Sequence, residues 1–325
     1  MFSKIKFWLE CSRWYALPTT IFSWLIVFVY SIDKDGNYIN GILALIGICL
    51  AHLATNLFDD YIDFHNLKKE IDENNNLILP NTQNGKCQYL LDGSVKTIDV
   101  LKIIALYCTL ALIIGIYLFA NIGSGILLYM TFGALIVVLY PYLSNIRLSE
   151  FAVALAYGPL LFGGTYFAMT GKIDITPFIL AIPTMLFTVN LIYTDTFLDR
   201  DIDKKEGKDT LCGYFKTEKN ALLFQKWLVI IAYISIVLIE SFDITDWEIL
   251  ITLITIPLAI DLHNSLIEYS LNKESIPQKK WYHIPFENWN KIEQEECKPF
   301  MFRMYQARNL MIYFSILITI SILFD

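Results

Sequence analysis

Charge is what this sequence has least of. Only 18% of its 325 residues are Asp, Glu, Lys or Arg, against 55% that are hydrophobic, a balance too apolar for an ordinary water-soluble domain. A basic surplus is missing too. The 25 Lys and Arg face 32 Asp and Glu, for a formal net charge of -7, which leaves nothing to neutralise a nucleic-acid backbone and excludes a nucleic-acid partner. The six cysteines (Cys11, Cys49, Cys87, Cys108, Cys212, Cys297) offer no C-x-x-C pair and no His at metal-ligand spacing, so they read as free thiols in packing positions. Low-complexity tracts and short repeats are absent, which removes disordered and collagenous classes. No A-x-A-like cleavage site follows Met1 to Arg13, so the first apolar run is expected to be a retained helix.

What the sequence does have is long apolar runs from one end to the other, with a mean hydropathy of +0.48. Windows of about 19 residues place candidate spans near 14–31, 41–58, 99–120, 124–142, 151–170, 176–197, 221–240, 248–268 and 306–324. The tight joint at Asn121 to Ser124 leaves open a single kinked element there. The fold class expected is all-α, a polytopic membrane protein whose partner is the lipid bilayer, with residues 1–325 as a single transmembrane domain. Lys and Arg test the count independently, because cytoplasmic loops retain them. With nine spans, all of the 25 except Lys34 and Lys172 fall on the side of the N-terminus. The N-terminus is therefore expected to be cytoplasmic, along with the long loops 64–98, 198–220 and 269–305, where function is expected to sit.

Two acidic clusters stand at that face. Asn56, Asp60 and Asp63 in Asn56-Leu-Phe-Asp-Asp-Tyr-Ile-Asp63 recur at i, i+4 and i+7, one side of a helix. Asn190, Thr194, Asp195, Asp199 and Asp203 repeat the arrangement after the sixth span, followed by Gly207-Lys208-Asp209-Thr210-Leu211. Acidic helix ends are often just solvated. Here, however, like charges at i, i+4 and carboxylates opposing the helix dipole are placed unfavourably twice at one membrane face. Oxygen-only ligands of this kind suit Mg2+, which shares its remaining positions with water and phosphate. Two such clusters would neutralise a diphosphate whose hydrocarbon tail lies between helices, which describes a prenyl diphosphate.

These residues resemble the UbiA superfamily of intramembrane prenyltransferases, in particular its 1,4-dihydroxy-2-naphthoate prenyltransferase branch. The segment Asn56 to Asp63 is similar to that branch's N-L-x-N-D-Y-x-D, and Asp199-Arg-Asp-Ile-Asp203-Lys-Lys-Glu-Gly207-Lys208-Asp-Thr210-Leu211 to its D-x-x-x-D-x-x-x-G-K-R-T-L. Smaller similarities lie at Arg13 to Pro18, Tyr140-Pro141, Leu148-Ser-Glu150, Gly158-Pro159 and Gly163-Gly164-Thr165-Tyr166, so the likeness covers about 13–215.

The resemblance implies nine helices around a central chamber. It also implies Mg2+ held by Asp60, Asp63, Asp195, Asp199 and Asp203, with Asp60 and Asp199 catalytic. The diphosphate would be bound by Asn56, Lys208, Arg147 and Lys86, and Tyr140 would face the allylic cation before an aromatic acceptor attacks it. The sequence departs from the pattern at Phe64 to Glu70, at Gly85-Lys86-Cys87, at Asp209 in place of Arg, and in the polar loop Asn272 to Arg303, which reads as a lid or an interfacial element. His263 and His283 read as structural. Two other functions stay open: a UbiA-type terpene cyclase using no acceptor and, more remotely, a secondary transporter, whose carboxylates should lie nearer the bilayer midplane.

Overall fold

The computed structural model describes residues 2–74, 87–205, 209–286, 289–295 and 297–324. Among them, nine helices are long and apolar enough to cross a membrane: Trp14–Asp33, Tyr38–Lys69, Thr97–Ile122, Ile126–Leu143, Ser149–Thr170, Thr176–Leu198, Glu218–Ser241, Trp247–Leu271 and Lys298–Phe324. They are numbered one to nine here. No strand forms among the described residues, and one isolated parallel bridge joins Ile146 to Asp209.

Local chemistry explains where the spans break. The third and fourth are two helices, not one bent element, because Gly123 takes φ 99° and closes the third, a conformation that costs glycine little. The fifth bends at 156–160, where Gly158 leaves helical geometry (φ -94°, ψ -105°) just before Pro159, whose missing N–H cannot continue the ladder. A Cβ at Gly158 would stand 2.6 Å from Met185 Sδ of the sixth span, so the two helices approach closely at the bend. The second helix outruns the expected loop boundary at 64 and continues to Asn74. Nothing in Phe64 to Asn74 breaks a helix, and Phe64 and Leu67 pack on a small cluster with Leu57, Cys87 and Leu90.

Spans five, six and nine are the centre of the bundle, with 61% of each apolar window buried, whereas only 11% is buried in spans three and four. The latter expose Leu112, Ile113, Ile116, Leu128 and Phe132, an apolar surface suited to hydrocarbon. The main core joins Trp24, Ile26, Phe162, Phe187, Leu262 and Phe314 from the first, fifth, sixth, eighth and ninth spans. The first span packs against both the second and the sixth.

The stretch after the eighth span is fastened down. Asp261 accepts hydrogen bonds from Lys280 Nζ (2.8 Å), the Tyr282 hydroxyl (2.6 Å) and His283 Nε2 (3.0 Å). Fully buried Arg303 donates to the carbonyls of Ser265, Ser275 and Pro299 at 2.7 to 2.9 Å. Asn309 and Arg308 donate to the carbonyl of Pro285.

Candidate active site

The second span carries its acidic motif on one uninterrupted helix, so Asn56, Asp60 and Asp63 share a face as their spacing requires. Asp59, Asp60 and Asp63 are all buried; Asp60 retains 2% of its exposure. Arg13 reaches them from just before the first span. Its Nη2 pairs with Asp60 Oδ1, and its Nη1 lies 3.9 Å from Asp59 Oδ2. Burial lowers the Arg13 pKa, but Asp60 and Asp59 outweigh it and hold the guanidinium well above its usual range. Asn56 Nδ2 donates to the Ser12 carbonyl at 3.0 Å, which anchors the same segment. The Tyr89 hydroxyl is buried beside Asp60, without a hydrogen bond of good geometry. Burial and then Asp60 push its pKa upward. The same two causes raise the Cys11 thiol to about 12.

At the second cluster the sixth span stops at Leu198 and Asp199 caps it; a short helix, Arg200–Lys205, then resumes. The ladder survives this bend. Asp199 N donates to the Asp195 carbonyl at 3.0 Å, and Asp203 N donates to the Asp199 carbonyl at 2.8 Å, so the three carboxylate-bearing residues keep helical spacing. Asp195, Asp199 and Asp203 are half-buried. Arg200 Nη2 donates to the Phe215 carbonyl at 2.6 Å, and the Tyr269 hydroxyl donates to the Leu198 carbonyl at 3.2 Å. Lys273 lies 3.5 Å from Asp201, the acidic residue off the ladder.

The first span packs against both the second and the sixth, the two helices that carry the acidic motifs. Tyr140 lies at the matching end of the fourth span, half-buried against the main core. Arg147 is committed elsewhere. Its Nε donates to Asp209 Oδ1 at 2.6 Å, its backbone N–H donates to the Asp209 carbonyl at 2.7 Å, and its guanidinium stacks 5.3 Å from the Tyr214 ring. The hydrogen bond that Arg147 donates to Asp209 raises the Arg147 pKa. Lys86 and Lys208 lie outside the described residues.

Arg13, Cys87 and Arg147, all left-handed at φ 57°, 47° and 65°, gather at this end of the bundle. Non-glycine residues hold such angles only where surroundings enforce them, commonly at functional sites. Neither Arg13 nor Tyr89 stands out in sequence as a partner of Asp60. The available signal was three carboxylates in five residues with no cation among them, and an Arg just ahead of the neighbouring apolar run.

A sequence profile of the UbiA prenyltransferase family matches residues 16–282. The chain belongs to the UbiA prenyltransferase family. It is 26% identical over 222 residues, 64% of its length and 68% of the relative's, to the 1,4-dihydroxy-2-naphthoate octaprenyltransferase of Haemophilus influenzae. It shares its fold with a digeranylgeranylglyceryl phosphate synthase (TM-score 0.60, 19% identity, 99% and 100% of the two chains). It also shares it with a UbiA homologue from Archaeoglobus fulgidus bound to GPP and Mg2+ (TM-score 0.58, 16% identity, 96% and 99%). This UbiA-family protein is thus an integral, multi-pass membrane enzyme and a prenyltransferase.

Proposed function

We propose that this enzyme transfers a prenyl group from a prenyl diphosphate to an aromatic acceptor of the quinone type, such as dihydroxynaphthoate, in a Mg2+-dependent reaction. The observation that carries the reading is the burial of Asp59, Asp60 and Asp63 together at one helix end, with Arg13 set against Asp60 and Asp59, a concentration of buried carboxylates that suits a bound cation.

The donor set fits Mg2+. It consists of oxygen atoms alone, the hard ligands of an ion that keeps waters and takes its remaining positions from phosphate. Asp60 and Asp63 on one helix end, and Asp199, Asp203 and Asp195 on the other, would hold it. Bound there, Mg2+ would neutralise the diphosphate and stabilise it as a leaving group.

The protein's own groups supply the rest. Asn56 and Arg13 hold the first acidic helix against the start of the first span, and Arg13 offers a positive charge to the leaving diphosphate. Lys208 and Lys86 are proposed as further diphosphate ligands. Arg147 takes that role only when it leaves Asp209. The Tyr140 ring is proposed to shield the allylic cation. The relatives bound to GPP and DMAPP with Mg2+ and the naphthoate enzyme support this choice of donor, metal and acceptor. The excess of Lys and Arg supports a site that faces the cytoplasm, on one transmembrane domain covering 1–325.

The test is product identification by mass spectrometry, from the membrane-embedded enzyme with Mg2+ and several prenyl diphosphates, with and without dihydroxynaphthoate. A prenylated naphthoate product is expected. A cyclic hydrocarbon formed without acceptor would replace the transferase reading with a terpene cyclase.

A further inference from the structure

Two turns below Asp60 on the same helix stands His52, a ring inside an otherwise apolar run. Three helices meet around it. Thr20 Oγ1 of the first span lies 2.8 Å from His52 Nδ1, and the Tyr157 hydroxyl of the fifth span lies 3.0 Å from Thr20 Oγ1 and 3.3 Å from Thr19 Oγ1. The Thr19 hydroxyl donates to the Ala16 carbonyl at 2.7 Å. Tyr157 owes its position to the bend at Gly158 and Pro159 described above.

Hydrogen counting assigns the ring's protonation. Thr19 spends its proton on Ala16, so it accepts from Tyr157. Tyr157 then accepts from Thr20, which leaves Thr20 to accept from His52. With the Tyr157 hydroxyl also 3.3 Å from Nδ1, five contacts link the group; protonation at Nδ1 lets four of them carry a hydrogen, one more than the opposite tautomer allows. A one-directional chain of this kind is also mutually strengthening. Nε2 is left with a bare lone pair and has no partner among the described residues. His52 is only partly buried, and Nε2 is the ring nitrogen left for an outside partner. The charged and titratable groups that face the pair are Arg13 from the N-terminal segment, and Cys49 on His52's own helix beside Tyr157.

We infer that His52 Nε2 receives the ring hydroxyl of the acceptor, with Tyr157, Thr20 and Thr19 holding the imidazole in the accepting tautomer. The inference rests on the aromatic-acceptor reading above. Distance along the helix supports it. Eight residues separate His52 from Asp60, about 12 Å of rise. The Mg2+ and diphosphate proposed at Asp60 take the near part of that rise, and the acceptor ring takes the part beside His52. His52 takes the hydroxyl proton on Nε2 as the ring's electron pair forms the new bond from carbon to the prenyl C1. The C1–O bond breaks, and diphosphate departs with its pair. The new tetrahedral ring carbon then sheds its proton as the ring oxygen regains the one held on Nε2. His52 is restored, and one proton leaves with the diphosphate.

The test uses the full-length enzyme in lipid nanodiscs with Mg2+, geranyl diphosphate and 1,4-dihydroxy-2-naphthoate. His52→Gln keeps an acceptor atom but no base, and His52→Ala removes both. Both are expected to lose about 100-fold or more in kcat/KM for the naphthoate and to lose the acid limb of its pH profile, where wild-type activity falls as His52 becomes protonated. Geranyl diphosphate affinity, measured by calorimetry, should stay within about twofold, since the donor site lies two turns away. Tyr157→Phe, a positioning change, should move the acid limb and lower kcat while leaving geranyl diphosphate affinity unchanged. Wild-type kcat/KM and an unmoved acid limb in His52→Gln would overturn the assignment. So would a parallel loss of geranyl diphosphate affinity, which would mark His52 as merely structural. A wild-type enzyme that releases diphosphate but prenylates no aromatic compound overturns the acceptor reading and this assignment together, and the wild-type control tells that case apart.

Discussion

Arg13→Gln removes the guanidinium that pairs with Asp60 and approaches Asp59. Asp60 is 2% exposed and Arg13 20%, so water compensates little for the loss. Breaking such a pair by removing one member typically costs about 3 to 5 kcal/mol, because the charge left behind stays buried. Asp59 and Asp63 share the helix face and add their repulsion. At roughly 2 °C per kcal/mol for a chain of this size, the variant should melt about 6 °C or more below wild type in EDTA. Mg2+ should restore part of that difference, since a cation at these carboxylates replaces the withdrawn charge. The assay is apparent melting in detergent by intrinsic fluorescence, with and without Mg2+, together with a double-mutant cycle using Asp60→Asn. The double variant should recover much of the loss, for a coupling of about 2 kcal/mol or more. If Arg13→Gln melts with wild type in EDTA, or the double variant is no better than the single, the buried-pair argument fails.

Three further outcomes are expected. Asp60→Ala and Asp199→Ala should abolish Mg2+-dependent diphosphate release, followed by phosphate assay, while both proteins remain membrane-inserted; full release in both would defeat the site assignment. Asp209→Ala should free the Arg147 side chain from its hydrogen bond and lower KM for the prenyl diphosphate severalfold with unchanged melting, the pair being half-exposed; an unchanged KM would show that Arg147 takes no part in binding. The Cys11 thiol, held at about 12 by burial and then Asp60, should be about 10⁻⁴ ionised at pH 8 and nearly inert to iodoacetamide. The folded pKa lies above that of a free thiol, so Cys11 contributes full stability below about pH 9 and loses it as pH climbs from there toward 12. A Cys11→Ser variant should therefore show a shallower alkaline fall in melting temperature.

The spans were legible because a long apolar run has few alternatives once its backbone must be satisfied internally. The positions of Asn56, Asp60 and Asp63 on one face followed from helical period alone. Their partners did not. The Arg13–Asp60 pair spans 47 residues, and in sequence Arg13 has the look of an ordinary cytoplasmic anchor. This changes one expectation: read alone, Asp60 has only like-charged neighbours, so its removal should leave stability unchanged or slightly raised, whereas in the fold it faces a cation and Asp60→Ala should destabilise. His52 was hidden for a similar reason. A single His in an apolar run reads as packing until the bend at Gly158 delivers Tyr157 from more than a hundred residues away. Arg147 shows the reverse: it resembled a diphosphate ligand, and Asp209, visible only as a departure from the motif, engages it.

The buried arginines of the ninth span bear on how the protein is made. Arg303 and Arg308 donate hydrogen bonds to the carbonyls of Ser265, Ser275 and Pro285, groups supplied by the eighth span and the stretch that follows it. Each arginine alone in hydrocarbon opposes insertion by up to about 3 kcal/mol. The last helix is consequently a poor solitary insert and a good late one. Biogenesis must keep the eighth span and its trailing segment beside the translocation exit until the ninth arrives, and an internal deletion within the stretch between the eighth and ninth spans that removes Ser275 and Pro285 should strand the final helix outside the bilayer even though its sequence is intact.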